Sequence, residues 1–252
     1  MIEFKKDLLT VKQYDNRTLM GEGAANDIAK AINELLKKDG DINIIFAAAP
    51  SQNDVLLSLI NNKTIDWQRI NAFHMDEYVG LSKDAPQGFG NFLKEHIFSL
   101  VPFKSVNYLN PEASDVEAEC QRYTNLLKEY PTDIVVMGIG ENGHIAFNDP
   151  PVADFKDEKM VKKVKLDEIC RQQQVNDGCF SDISLVPTHA LTLTVPCLMS
   201  AKYHFCIVPA KTKAQAVYNT INNDINEKCP ATILRKADNA VLYIDNESSV
   251  LL

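Results

Sequence analysis

A chain of 252 residues, 45% of them apolar, is long enough to build and fill one large α/β domain. Its formal net charge of −8, with Lys and Arg scattered and no basic block, argues against nucleic acid as a partner while leaving room for local anion binding. No apolar run reaches membrane-spanning length and Met1–Thr10 lacks an apolar signal core, so the expectation is a cytoplasmic protein with no membrane partner.

In chain order, Ala24, Ala25, Ile28, Ala29, Ile32, Leu35 and Leu36 recur at three- and four-residue spacing, which predicts an amphipathic helix over 23–38 ending at Gly40. Ile42–Ala48 reads as a buried strand, and Pro50 near a first helical turn opens a second helix carrying Val55, Leu56, Leu59 and Ile60. Arg69–His74 is the next strand, followed by helices over 88–100 and 115–129 and a β-branched strand over 133–138. Lys159–Leu166 alternates like a half-exposed strand, and 167–186 is polar and irregular, so that roughly 150–186 suggests a lid. Tyr203–Val208 is a strand, 212–222 a helix, 230–235 a short helical turn, and Ala240–Ile244 the last strand. Strands alternating with helices of ten to fifteen residues imply βαβ units, a mainly parallel sheet and one domain over 1–252.

The six cysteines, at 120, 170, 179, 197, 206 and 229, show no Cys-x-x-Cys pair and no metal-ligand spacing with the five histidines, so reduced thiols and no metal are expected. Gly138, Gly140 and Gly143 formally match G-x-G-x-x-G. That fingerprint holds a dinucleotide only where the turn opens a helix, whereas this stretch runs into Pro150 and Pro151, so no nucleotide cofactor is expected.

Ligands of open parallel sheets collect at the strands' carboxyl ends, and four such ends carry unusual chemistry: 47–52, 74–78, 138–149 and 209–213. Asp76 and Glu77 leave the Arg69–His74 strand side by side and point in different directions. One can face a cleft as a proton-abstracting carboxylate, while the other makes a salt bridge or caps a turn. His144, in a glycine-rich turn, suits proton transfer near pH 7, with Asp149 or Glu141 to orient it; the competing reading is a core histidine bonded to backbone. Ser51 and Gln52 sit at a helix start that favours a phosphate, or Ser51 simply caps that helix. Lys211 and Lys213 lie near another helix start, where a cation is unfavourable unless an anion shares the site; the alternative is solvated lysines. Arg171 belongs either to a helix surface or to the lid, and His189 and His204 read as structural.

Phe73–Leu81 (FHMDEYVGL), Gly138–Pro150 and Ala190–Thr194 (ALTLT), in this order and spacing, resemble the glucosamine-6-phosphate deaminase/isomerase family, related to 6-phosphogluconolactonases. The similarity extends over nearly the whole chain. It implies a Rossmann-like α/β three-layer sandwich. It also implies conversion of an amino-sugar phosphate and water into a ketohexose phosphate and ammonia, without metal or nucleotide. By the resemblance Asp76 is the enolisation base, His144 the ring-opening acid/base, Asp149 part of the group supporting that histidine, and Lys213 a phosphate-binding lysine. Ser51, Gln52 and Arg171 complete the substrate-contact candidates. Family assemblies vary and some are allosteric, which leaves a homo-oligomer open.

Three departures stand out. Asn142 replaces the aspartate that usually precedes Gly-His, and Asp149 replaces a glutamate. Phe46–Gln52 (FAAAPSQ) stands where a Gly-Gly loop with Ser or Thr is usual, which predicts an altered backbone path. Three other readings stay open: a lactonase in which His144 activates water, an isomerase of another sugar phosphate, and a sugar-phosphate sensor without catalysis.

Overall fold

The computed structural model describes residues 1–252. It begins with an antiparallel hairpin, β1 (Ile2–Lys6) and β2 (Leu9–Tyr14), which turns through Asp7 at φ 51°. Only Leu9 and Val11 of the hairpin are fully buried, so its mixed polar sequence gave no strand signal. Helix α1 (Arg17–Leu35) starts six residues before the predicted 23, because Asn16 caps it by accepting a hydrogen bond from Leu19 N. Next come β3 (Ile42–Phe46), a 3₁₀ turn at Pro50–Gln52, α2 (Asn53–Asn61), β4 (Ile70–His74) and the short β5 (Asp76–Tyr78). Helix α3 (Phe89–Leu93) continues as a π-helical turn to Phe98, and β6 (Ser105–Asn107) leads to α4 (Val116–Glu129), capped by Asp115. The chain then runs through β7 (Ile134–Met137), β8 (Val161–Lys165), α5 (Glu168–Asn176), β9 (His189–Leu193) and α6 (Val195–Met199). It ends with β10 (Tyr203–Val208), α7 (Ala214–Asn222), a 3₁₀ segment over Pro230–Lys236, and β11 (Ala240–Asp245).

Eight strands form one sheet in the order β1-β2-β11-β10-β7-β3-β4-β6, parallel throughout except for the β1–β2 hairpin. Alternate side chains of the central strands divide between two cores. Ile44, Phe46, Ile134, Val136, Phe205 and Ile207 join α1 and α2 on one side. Ile45, Val135, Met137, Cys206 and Val208 join Tyr123 and Leu127 of α4 and Val217 and Ile221 of α7 on the other. Helices on both faces of a mainly parallel sheet make the three-layer sandwich expected from the sequence.

After β3 the chain moves outward through β4 to β6; after β7 it moves the opposite way through β10 to β11. The order therefore reverses between β3 and β7, and a crevice opens beyond their carboxyl ends. A second sheet, β5-β9-β8, is antiparallel and roofs this crevice from the end of β4. The alternation at 159–166 announced β8, but neither β5 nor β9 was expected as a strand. Residues 167–186 are not irregular throughout, since α5 occupies half of them. No helix is long and apolar enough to cross a membrane.

Candidate active site

A cleft of about 470 Å³ lies at the crevice, and all four chemically unusual strand ends contribute to it: Ala47–Ser51 after β3, Met75 and Asp76 after β4, Gly138–His144 after β7, and Pro209–Lys213 after β10. Phe89, Phe147, Gln173, Gln174 and Asp177 close its sides.

Asp76 is fixed by β5, where it pairs with Thr192 of β9. It is only 7% exposed, and burial, reinforced by the neighbouring Glu77, pushes its carboxyl well above the ordinary value of 3.8. Glu77 points away from the cleft. Its Oε1 accepts from Tyr78 N and Phe89 N and its Oε2 from Gly90 N at 2.9–3.1 Å, so it satisfies the free amides at the start of α3. The adjacent pair thus splits into one cleft residue and one cap.

His144 stands on the opposite wall. Its Nδ1 lies 2.8 Å from Asn142 Oδ1 and 2.9 Å from Asp149 Oδ1, and Asn142 Nδ2 donates to that same Asp149 oxygen at 2.9 Å. Both neighbours of Nδ1 are acceptors, so Nδ1 carries the hydrogen and Nε2 is left with a lone pair. Asn142 Oδ1 also accepts from His144 N at 3.0 Å and closes the turn. The ring lies directly over Gly140, where an added Cβ would come within 2.0–2.3 Å of its atoms. Gly143, at φ 85°, passes against Cys229 Sγ. These glycines serve close approach and turn geometry rather than a pyrophosphate. Burial pushes Asp149 up, but the His144 bond and charge and the Asn142 amide outweigh it, and the carboxyl ends below its ordinary value. Asp149, not Glu141, is the orienting carboxylate.

Lys213 is 6% exposed and lines the cleft, whereas Lys211 is exposed to solvent. Burial lowers the Lys213 pKa, with Asp177 and Glu141 opposing. It follows Ala210, whose φ of 80° is strained for a residue with a side chain and is held by the Asp245 carboxylate accepting from Ala210 N. Ser51 lines the cleft beside it.

Two expected contacts are corrected. Gln52 is fully buried beneath the loop, where its Nε2 reaches Ser51 Oγ at 3.0 Å and Ile207 O at 3.3 Å. It therefore pins the loop to β10 and does not line the cleft. Arg171 is absent from the cleft as well: its guanidinium donates to Ile183 O and Val186 O at 2.6 and 2.8 Å, fastening the 183–186 turn to α5. A segment rich in backbone carbonyls had first claim on that cation. Arg17 is a cleft residue the sequence did not reveal. Its Nε donates to Asp54 Oδ2 and its Nη2 to Pro50 O, which brings the guanidinium from the start of α1 to the loop after β3. Gln173, Gln174 and Asp177 were likewise hidden in the polar segment. Gln173 Oε1 accepts from Glu141 N and Gln174 Oε1 from Tyr78 Oη, both at 2.9 Å, so α5 is tied to two walls of the cleft. His204 is a buried structural residue, bonded to Leu198 O.

Metal-type donors converge in one place, where His144, Asp149 and Cys170 bring ligand atoms within 4.8 Å of one another. Coordination there would have to break the Nδ1–Oδ1 bond and ionise a thiol that burial, then Asp149, holds well above its ordinary range. A proton network suits these residues better than an ion.

The model of the glucosamine-6-phosphate isomerase/6-phosphogluconolactonase family matches residues 15–243. The chain belongs to this family. It is 34% identical over 227 residues to a glucosamine-6-phosphate deaminase of Listeria innocua, covering 89% of this chain and 95% of that one. A solved monomeric glucosamine-6-phosphate deaminase superposes with a TM-score of 0.86 at 30% identity, covering 96% of this chain and 99% of the other. A 6-phosphogluconolactonase of Thermotoga maritima shares the fold with a TM-score of 0.75, at 19% identity over 94% of this chain and all of that one.

Measured against the family pattern, Asp149 does reach the histidine despite its shorter side chain, and Asn142 joins the two by one bond to each. None of Ala47, Ala48 and Ala49 has a positive φ, so the loop after β3 follows a path open to alanine.

Two outcomes follow. Asp76 ionises less readily folded than unfolded, so its contribution to stability is lost as pH rises from the ordinary carboxylate range through the raised folded value. Asp76→Asn is therefore expected to be more stable than the parent at neutral pH, with the gap closing near about pH 4. Urea denaturation at both pH values measures this, and a less stable variant at neutral pH would refute the uncompensated burial of Asp76. Gly140→Ala is expected to drive the His144 ring off Asn142 and Asp149 and abolish the protected Nδ1–H signal in imidazole NMR; unchanged ring shifts would show that the ring has room to spare.

Proposed function

We propose that the chain is a glucosamine-6-phosphate deaminase, which converts glucosamine 6-phosphate and water into fructose 6-phosphate and ammonia. The observation that carries this reading is the shared cleft. A raised carboxyl and an oriented imidazole face one space that also holds a buried lysine.

Lys213, with Arg17 and Ser51 beside it, binds the phosphate and anchors the sugar. His144 Nε2 takes the proton of the anomeric hydroxyl, and its return to the ring oxygen opens the sugar to the aldehyde. The forming imidazolium is stabilised by Asp149. Asp76 then abstracts the hydrogen on carbon 2, the amine-bearing carbon next to the aldehyde, while a proton of the substrate ammonium passes to the aldehyde oxygen, and Asp76 delivers the abstracted hydrogen to carbon 1. The resulting carbon 2 imine adds water and expels ammonia, leaving the ketose. Water supplies the ketone oxygen, and its protons leave on the nitrogen as ammonium.

A raised carboxyl pKa makes Asp76 a stronger base than a solvated aspartate, which is what abstraction from carbon requires. A lactonase acting through His144 alone has no use for such a base. Residues 167–186 act as the lid of a single-domain enzyme, with α5 setting Gln173, Gln174 and Asp177 over the cleft. Six free thiols fit a reducing cytoplasm.

The direct test follows ammonia and fructose 6-phosphate from glucosamine, galactosamine and mannosamine 6-phosphates. Production of both from the gluco substrate is expected, and flat traces for all three would overturn the assignment. Asp76→Asn is expected to lower kcat by about 10²- to 10⁴-fold with substrate affinity retained. In the parent, kcat/KM should fall on the acid side at a pH above the ordinary carboxylate range, because protonation removes the base. Collapsed affinity in the variant would make Asp76 a binding residue. Lys213→Ala is expected to raise KM by about 10- to 100-fold with a smaller change in kcat, since a phosphate contact serves ground and transition states alike. An unchanged KM would take Lys213 out of the phosphate site.

A further inference from the structure

One oxygen of the His144 support is unaccounted for. Asp149 Oδ1 is bonded to His144 and Asn142, and the Asp167 backbone amide also favours the carboxylate, but Asp149 Oδ2 is buried with no donor at full hydrogen-bonding geometry. A buried carboxylate oxygen left in that state is costly, and a native site normally supplies a donor. Cys170 stands beside it. Its residue is fully buried, it projects from the first turn of α5, and its Sγ lies within 4.8 Å of an Asp149 oxygen and a His144 ring nitrogen.

We propose that Cys170 is a positioning residue of this active site: its S–H donates to Asp149 Oδ2 and fixes the plane of the carboxylate that orients His144. Burial, and after it the Asp149 charge, push the thiol well above its ordinary range, so it remains the protonated donor that the bond needs. A thiol is a weak donor, but no side-chain hydroxyl bonds this oxygen. The bond also joins α5 to the catalytic wall. The helix that brings Gln173 and Gln174 to the cleft is thereby seated on the back of the histidine's support.

The proposal rests on the deaminase reading for its kinetic arm only, so a spectroscopic arm stands apart from it. The infrared difference between parent and Cys170→Ala isolates the Cys170 S–H stretch from those of the other five cysteines. A band shifted to low frequency by a carboxylate acceptor is expected, moving up in Asp149→Asn. A band at the free-thiol position, unmoved by Asp149→Asn, would overturn the proposal whether or not the protein deaminates anything. In the kinetic arm, Cys170→Ala is expected to lower kcat by about tenfold with KM within about twofold, the loss of one hydrogen bond to a charged group. It should also displace the pH profile of kcat. Cys170→Ser, which keeps a donor, should restore most of the rate. Parent-like kcat and pH profile in Cys170→Ala, or a serine variant as slow as the alanine one, would reduce Cys170 to a packing residue.

Discussion

Asp76 is a carboxylate enclosed by the protein with no cation to offset it, and the rest of the site is arranged around that fact. Burial and Glu77 both act to raise its pKa, and nothing near it lowers it. Folding tolerates this because the carboxylate belongs to a strand locked along β9. Leu193 N bonds to Met75 O just before it, and β9 pairs with it residue for residue. The adjacent Glu77 is equally buried but meets three backbone amides. Two carboxylates one residue apart therefore have opposite characters, one satisfied and structural, the other held reactive.

The opposite wall solves a different problem. Two side-chain oxygens claim the same Nδ1 hydrogen of His144 and so fix its tautomer, as the proposed proton transfer requires. Replacing the family's usual aspartate with Asn142 removes a negative charge but adds an amide N–H, and that N–H is spent on Asp149. The negative charge is thus concentrated on one buried carboxylate rather than shared between two, which avoids like-charge repulsion a few ångströms apart. The short side chain of Asp149 reaches because the backbone from Ile145 to Asn148 is tightly folded, with Ala146 at φ 50°.

The sequence revealed the parts of the fold that follow apolar periodicity. β3, β4, β7, β10 and β11 are buried runs, and their carboxyl ends led to Asp76, His144 and Lys213. It concealed elements whose residues are chosen for chemistry rather than burial pattern. Asp-Glu-Tyr at 76–78 does not look like a strand, yet as β5 it sets Asp76 in the cleft. Arg17 could not be placed because its route to the cleft depends on Asp54 and Pro50, more than thirty residues away. Arg171 misled for the same reason in reverse. A cation in a polar segment resembles a phosphate ligand until the carbonyls of Ile183 and Val186 are seen to hold it.

Charge is segregated along the cleft, with Lys213 and Arg17 near the loops after β10 and β3, and Asp76 at the end of β4. Burial costs the Lys213 ammonium stability just as it costs the Asp76 carboxylate, and the distant charges of Asp177 and Glu141 return only part of it. In the proposed reaction a phosphate dianion bound by these cations would relieve that cost, so that binding energy would be gained at the end of the substrate remote from the chemistry. On the same proposal a sugar carbon would face Asp76, which would gain no comparable partner from the bound substrate. The proposed function would thus assign ground-state binding and reactivity to separate ends of one molecule, with Asp76 left destabilised until the proton on carbon 2 is within reach.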